Sequence, residues 1–121
     1  TGAGLHTRLY ARAFVFEDPE GGGRVALVSL DACMATHGVR MAVLSKLGAS
    51  LGPGVYTEES LVISGIHTHS GPGGYLTHVL YDVTSLGFVR ASFDAVVQGV
   101  AEAVERAHKS RAPGRALLGS G

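Results

Sequence analysis

Two apolar stripes at helical spacing lie between short, nearly continuous apolar runs, and that alternation restricts the chain to an α/β architecture. The first stripe, Val39, Val43, Leu44, Leu47 and Leu51, follows Thr36, which suits a helix cap, and is stopped by Gly52-Pro53-Gly54. The second, Val89, Phe93, Val96, Val97, Val100, Val104 and Ala107, predicts a long helix over 86–109, opened by Thr84-Ser85 and ended by Ala112-Pro113-Gly114. Strands are predicted over 9–16, 24–30, 61–66 and 115–118, with a hairpin turn over 18–23 and no clear preference over 75–84. The order strand, strand, helix, strand, helix, strand implies a mixed, partly parallel sheet with helical crossovers.

The chain has 121 residues, 45% of them hydrophobic and 17% charged, enough to bury a core and too apolar for a disordered segment. Ten basic residues balance ten acidic ones with no basic run, which argues against nucleic acid as a partner. No apolar stretch reaches the roughly eighteen residues of a membrane span, and no secretory leader is visible. The chain opens on Thr1 and closes on Gly119-Ser120-Gly121, so it reads as an excerpt of a longer protein. Cys33 is the single cysteine, cannot form an internal disulfide, and is expected as a buried structural thiol.

Chemistry concentrates in Ser64-Gly65-Ile66-His67-Thr68-His69-Ser70-Gly71-Pro72-Gly73-Gly74-Tyr75, directly after the apolar run Leu61-Val62-Ile63. On an extended backbone, residues i and i+2 point to one face, so His67 and His69 can reach one small object together. Neutral imidazole is a common ligand of transition metals, and a catalytic zinc site takes three protein ligands and leaves a position open. The pair alone supplies two, and two strand-end histidines bonded to backbone would show the same spacing. The following glycines remove side chains where a substrate could approach. Sites in such sheets form at the carboxyl ends of strands. His67, His69 and Asp31 all fall there; Asp31 either backs an imidazole or caps a helix. Arg8 and Arg12 share one strand face and read as ion-paired supports. His6, His37, His78 and His108 are isolated and read as surface or structural. Ser70 precedes Gly-Pro in a tight turn, where a hydroxyl commonly serves the backbone.

The run from His67 to Leu76, continued by Val79-Leu80-Tyr81-Asp82-Val83-Thr84-Ser85-Leu86-Gly87-Phe88-Val89-Arg90 and Ser92-Phe93-Asp94-Ala95-Val96-Val97, closely resembles the neutral (neutral/alkaline) ceramidase family. Gly4-Leu5-His6, Arg8-Leu9, Ala11-Arg12-Ala13-Phe14 and Val28-Ser29-Leu30-Asp31-Ala32-Cys33-Met34 are similar to that family's early strands. The resemblance runs over nearly the whole chain. It implies the N-terminal part, here 1–121, of a larger catalytic domain, the remainder lying C-terminal. It implies zinc-dependent hydrolysis of the N-acyl amide bond of ceramide to sphingosine and fatty acid. His67 is then a zinc ligand, and His69 hydrogen-bonds substrate or orients the metal's surroundings, with direct ligation as the alternative. Gly73, Gly74 and Tyr75 line the substrate side. The resemblance places the remaining ligands (a histidine, a glutamate and a tyrosine) and the nucleophilic serine outside this chain, which holds no catalytic residue of its own. It also implies a secreted, luminal or membrane-surface location, where ceramide is met. His78 departs from the family's aromatic residue, and Thr77 departs beside it, which bears on the shape of the substrate groove and not on the metal.

The chain by itself is therefore expected to be inactive and to bind zinc weakly, since two imidazoles are an incomplete shell. Two other readings stand beside this one. A truncated homologue could keep the fold without catalysis. A barrel-type metal-dependent amidohydrolase could open its site with His-x-His, but nothing in the Ser-Gly-Pro-Gly-Gly-Tyr tail is expected of that class.

Overall fold

The computed structural model describes residues 4–119. Strand β1 (Ala11–Glu17) and strand β2 (Arg24–Leu30) form an antiparallel hairpin, with Ala13 opposite Val28. The turn closes on itself: the Asp18 amide donates to the Gly23 carbonyl at 3.0 Å, and the Asp18 side chain accepts from the Glu20 amide at 3.0 Å. Helix α1 (His37–Leu51) then crosses over to strand β3 (Leu61–Gly65), which pairs parallel to β2. The sheet order is β1-β2-β3, mixed and partly parallel as the element order implies.

Thr36 caps α1, its Oγ1 accepting from the Val39 amide at 3.3 Å. Val39, Val43 and Leu47, one face at four-residue spacing, are buried. Helix α3 (Arg90–Lys109) buries Val97, Val100, Ala101 and Val104. Both helices pack on the sheet face formed by Ala26, Val28, Leu30 and Leu61, and that layer is the core. The opposite face exposes Phe14, Phe16, Val25, Leu27 and Val62.

Two expectations are corrected. Helix α3 starts at Arg90 and not at residue 86, because Leu86 and Gly87 take positive φ (60° and 114°) and turn the chain out of a helical path. The Val89 amide, which a longer helix would place inside its ladder, donates instead to the Gly74 carbonyl at 2.7 Å. Residues 115–118 form no strand: a strand exists through its pairing, and neither sheet edge, β1 nor β3, takes this segment among the described residues. The undecided stretch 75–84 contains the single turn α2 (Val79–Asp82), continued as a 3-10 turn over Val83–Ser85. No helix among the described residues is long and apolar enough to cross a membrane.

Candidate metal centre

Parallel pairing of β2 and β3 sets Leu30 opposite Gly65, so both strands end side by side. The pairing continues past them, with the Ile66 amide donating to the Leu30 carbonyl at 3.0 Å and the His67 amide to the Ala32 carbonyl at 3.1 Å. Gly65 makes that approach possible. A Cβ there would stand 2.9 Å from the Ala32 carbonyl oxygen, 3.0 Å from that of Cys33 and 3.1 Å from the Met34 Cα. Tyr75 fixes the same segment from further along the chain. Its hydroxyl donates to the Met34 carbonyl at 3.1 Å and accepts from the Met34 amide at 3.4 Å. Burial raises the Tyr75 pKa above the ordinary phenol value, so the group stays a neutral donor.

The two histidines meet by a different route from the one their spacing suggests. Strand β3 has already ended at Gly65, and His67 sits at φ 64°, in the left-handed region that residues with a Cβ avoid. That turn brings the rings together, with centroids 4.9 Å apart and planes tilted by 56°. Both converge on Cys33: its Sγ lies 3.9 Å from His67 Nδ1 and 3.8 Å from His69 Nε2. One donor atom from each of the three residues falls within 4.8 Å of the others.

This set fits a borderline metal. Bonds of about 2.0–2.1 Å to nitrogen and 2.3 Å to sulfur in a tetrahedron put neighbouring donors roughly 3.3–3.6 Å apart. The two sulfur–nitrogen separations of 3.9 and 3.8 Å exceed that by a few tenths of an ångström, within reach of small side-chain rotations. Both imidazoles are exposed and the thiol half-buried, so an ion can enter from solvent.

Cys33 is thus no buried structural thiol; it is partly exposed and faces the two rings. Its apolar neighbours in sequence hid this. The available signal was topological: Cys33 follows the end of β2 at Leu30, His67 follows the end of β3 at Gly65, and neighbouring parallel strands bring such positions together. Asp31 neither backs an imidazole nor caps a helix. Its Oδ1 accepts from Arg12 Nη1 at 2.7 Å and its Oδ2 from the Tyr10 amide at 3.0 Å. The Arg12 hydrogen bond holds the Asp31 carboxyl below its ordinary pKa. Arg12 is therefore the ion-paired support expected of it.

The glycines after the histidines are tightly packed. A Cβ on Gly73 would lie 2.2 Å from Ser85 Oγ, and one on Gly74, at φ 79°, 2.6 Å from Val89 Cγ2. Tyr75 is buried, with its hydroxyl committed to Met34. The Ser70 amide donates to Thr68 Oγ1 at 3.2 Å, a local turn bond. Buried Asp82 accepts from the Leu76 amide at 3.4 Å and ties down the far side of the loop. His78 packs edge-on against Tyr81, and His108 bonds the Tyr56 hydroxyl at 3.0 Å, both away from the cluster. A groove of about 1010 Å³ between β1 and α3 includes none of the site residues.

A family model described as "Neutral/alkaline non-lysosomal ceramidase, N-terminal" matches residues 1–121. The chain belongs to this family. Neutral ceramidase 2 of Arabidopsis thaliana is 54% identical over 119 residues, covering 98% of this chain and 16% of that protein. The neutral ceramidase of Drosophila melanogaster is 47% identical over 117 residues, covering 97% of this chain and 16% of the relative. The crystal structure of the neutral ceramidase from Pseudomonas aeruginosa superposes with a TM-score of 0.84 at 41% identity, over 88% of this chain and 17% of that one. This ceramidase-family chain spans about a sixth of the length of the curated relatives it matches.

Proposed function

We propose that this chain supplies the metal-bearing corner of a zinc-dependent ceramidase, which splits the N-acyl amide bond of ceramide into sphingosine and fatty acid. The observation that carries the reading is the convergence of His67 and His69 at the carboxyl ends of two parallel strands, in a chain of the neutral ceramidase family. Zinc, when bound, supplies Lewis-acid activation of the amide carbonyl or of the attacking oxygen. His67 serves as its ligand from this chain. His69, at 4.9 Å between ring centroids, stands where it can hydrogen-bond the substrate or orient the metal's surroundings.

Gly73 and Gly74 let the chain fold tightly against Ser85 and Val89, which shapes the wall beside the histidines. Tyr75 acts on the substrate side through position: it anchors Met34 and so the Cys33 segment that flanks His67. The further ligands and the nucleophilic serine come from outside these residues, and the substrate is met at a membrane surface, in a secreted or luminal setting.

The test is release of fatty acid from labelled ceramide by the full-length parent protein, with metal content measured, for wild type and His67→Ala. Cleavage with bound zinc in wild type, and loss of both in the variant, is the expected result. Zinc without cleavage means a correct metal site and a wrong substrate class. Neither zinc nor cleavage means a relative that keeps the fold without catalysis.

A further inference from the structure

We infer that the outer edge of β1 is the seat of a further strand, supplied by the parent polypeptide from beyond residue 118, with one row of its side chains filling the groove between β1 and α3. Hydrogen-bond parity identifies the edge. At the two ends of the hairpin the Asp31 amide donates to the Tyr10 carbonyl and the Asp18 amide to the Gly23 carbonyl. Bonded residues alternate along an antiparallel pair, and the register runs unbroken from Ala11 opposite Leu30 to Glu17 opposite Arg24. Arg12, Phe14 and Phe16 therefore bond β2, and the amides and carbonyls of Ala11, Ala13, Val15 and Glu17 point outward. Among the described residues no backbone group pairs with them.

An edge meant to stay open is guarded by proline, lysine, a bulge or an unpaired charge. Strand β1 has no proline, lysine or bulge, and the charge of Arg12 is taken by Asp31. The groove of about 1010 Å³ follows this edge from Leu9 to Glu17. On its far wall α3 presents Gly99, Ala103 and Ala107, a row with no side chain larger than a methyl, which leaves room for another layer. On the opposite face of the sheet Phe14 and Phe16 stand half exposed. A strand on this edge thus meets apolar surface on both sides, so its own sequence is a near-continuous apolar run. Its supply comes from the same corner. Arg111 Nε donates to Glu17 Oε2 at 2.9 Å and holds the exit of α3 at the foot of β1, with Ala112 and Pro113 lining the groove. Residues 115–118 take neither edge, so the strand lies further along the polypeptide. The curated relatives are about six times the length of this chain, and polypeptide tethered at this corner outcompetes a second molecule through its effective concentration.

The experiment is amide hydrogen exchange on the full-length parent protein, resolved to single residues by fragmentation. In wild type the outward amides of Ala13 and Val15 should exchange at least about a hundredfold more slowly than unprotected amides, as the inward amides of Phe14 and Phe16 do. Rapid exchange at Ala13 and Val15 beside a protected Phe14 overturns the inference, because the edge is then open. Protection that vanishes on dilution also overturns it and gives the edge to a second copy of the protein. Val15→Pro removes one outward amide and none of the bonds to β2, and an open edge strand tolerates proline. In the parent protein it should lower the thermal midpoint further than Val15→Ala does and release the protection at Ala13. Equal midpoints for the two variants overturn the inference. Should Val15→Pro not fold, the exchange of Ala13 and Val15 in wild type decides alone.

Discussion

The helix-covered layer and the loop from Ile66 to Val89 obey opposite rules. In the layer, Val28, Val39, Val43, Val100 and Val104 are fully enclosed, and each sits where strand alternation or helical spacing puts it. In the loop, Val79, Leu80, Val83 and Leu86 are exposed. All three non-glycine residues with positive φ among the described residues, His67, Thr77 and Leu86, fall there as well. The layer is stabilised by apolar burial. The loop touches the core only through Tyr75 and Leu76 among its buried apolar residues, and is otherwise held by hydrogen bonds reaching across it, Tyr75 to Met34, Leu76 to Asp82 and Val89 to Gly74. Backbone strain persists only where surrounding contacts over-determine it, and such strain gathers at functional sites. The difference marks the layer as scaffold and the loop as the part shaped for chemistry.

The largest effect should come from the scaffold. Leu47 of α1 is enclosed in the core, and Leu47→Ala should cost about 2–5 kcal/mol in urea denaturation. Leu80→Ala, on the exposed turn α2, should stay within about 0.5 kcal/mol of wild type. Equal losses at both positions would break the contrast. Gly65 lies on the seam. Gly65→Ala drives a methyl against backbone atoms of Ala32, Cys33 and Met34, which cannot rotate away. The expected cost is about 1–3 kcal/mol, together with weaker metal binding as the Cys33 segment moves off His67. Thr36→Ala removes the α1 cap and should cost about 1 kcal/mol while leaving metal affinity unchanged, because the cap supports only the scaffold.

How much was legible in the sequence follows the same division. Strand β2 and helix α1 were readable because each buries one regular face, and Thr36 and Gly52 punctuate α1 with side-chain and backbone chemistry. The start of α3 was misread because its apolar stripe begins before the backbone is helical. The left-handed turn at Leu86-Gly87 is closed by the Gly87 amide on the Asp82 carbonyl, and the Val89 amide beyond it pairs with the Gly74 carbonyl, a partner no local pattern announces. His67 and His69 were legible as a pair, but for a reason that does not operate, since the left-handed φ of His67 and not strand alternation brings the rings together. Cys33 was missed because its place depends on β2 and β3 pairing in parallel, a contact 34 residues apart in the chain.

A smaller effect should appear with pH, again in the scaffold. Burial lowers the His108 pKa from its ordinary 6.5, and the cations of Arg111 and Arg24 lower it further, with Glu17 opposing. Between the depressed value and 6.5 the unfolded chain binds more protons than the native one, so stability falls as pH drops through that window. The carboxyls of Glu17, bonded by Arg24, and Asp31, bonded by Arg12, also sit below their ordinary values. Their contribution is present above the ordinary carboxylate range and is lost only as pH falls through their depressed values. Denaturation midpoints from about pH 7.5 to 5.5 should decline in wild type and be flatter in His108→Gln, which keeps an acceptor toward Tyr56.

The smallest stability change should come from the residue that matters most to the site. At φ 64°, His67 carries a left-handed backbone that costs a residue with a Cβ about 1–2 kcal/mol. His67→Gly relieves that strain, while the added freedom of glycine in the unfolded chain takes back roughly 0.5–1 kcal/mol. Its ring is exposed, so little packing is lost. The two backbone effects nearly cancel, and the midpoint in urea should stay at or slightly above that of wild type. The zinc content of the full-length parent protein should nevertheless collapse, because the imidazole is gone. A residue that can be removed without loss of stability, yet not without loss of the ion, is held in its strained backbone for chemistry. If His67→Gly instead destabilised the chain by as much as Leu47→Ala, the ring would be part of the packing, and the loop would belong to the scaffold after all.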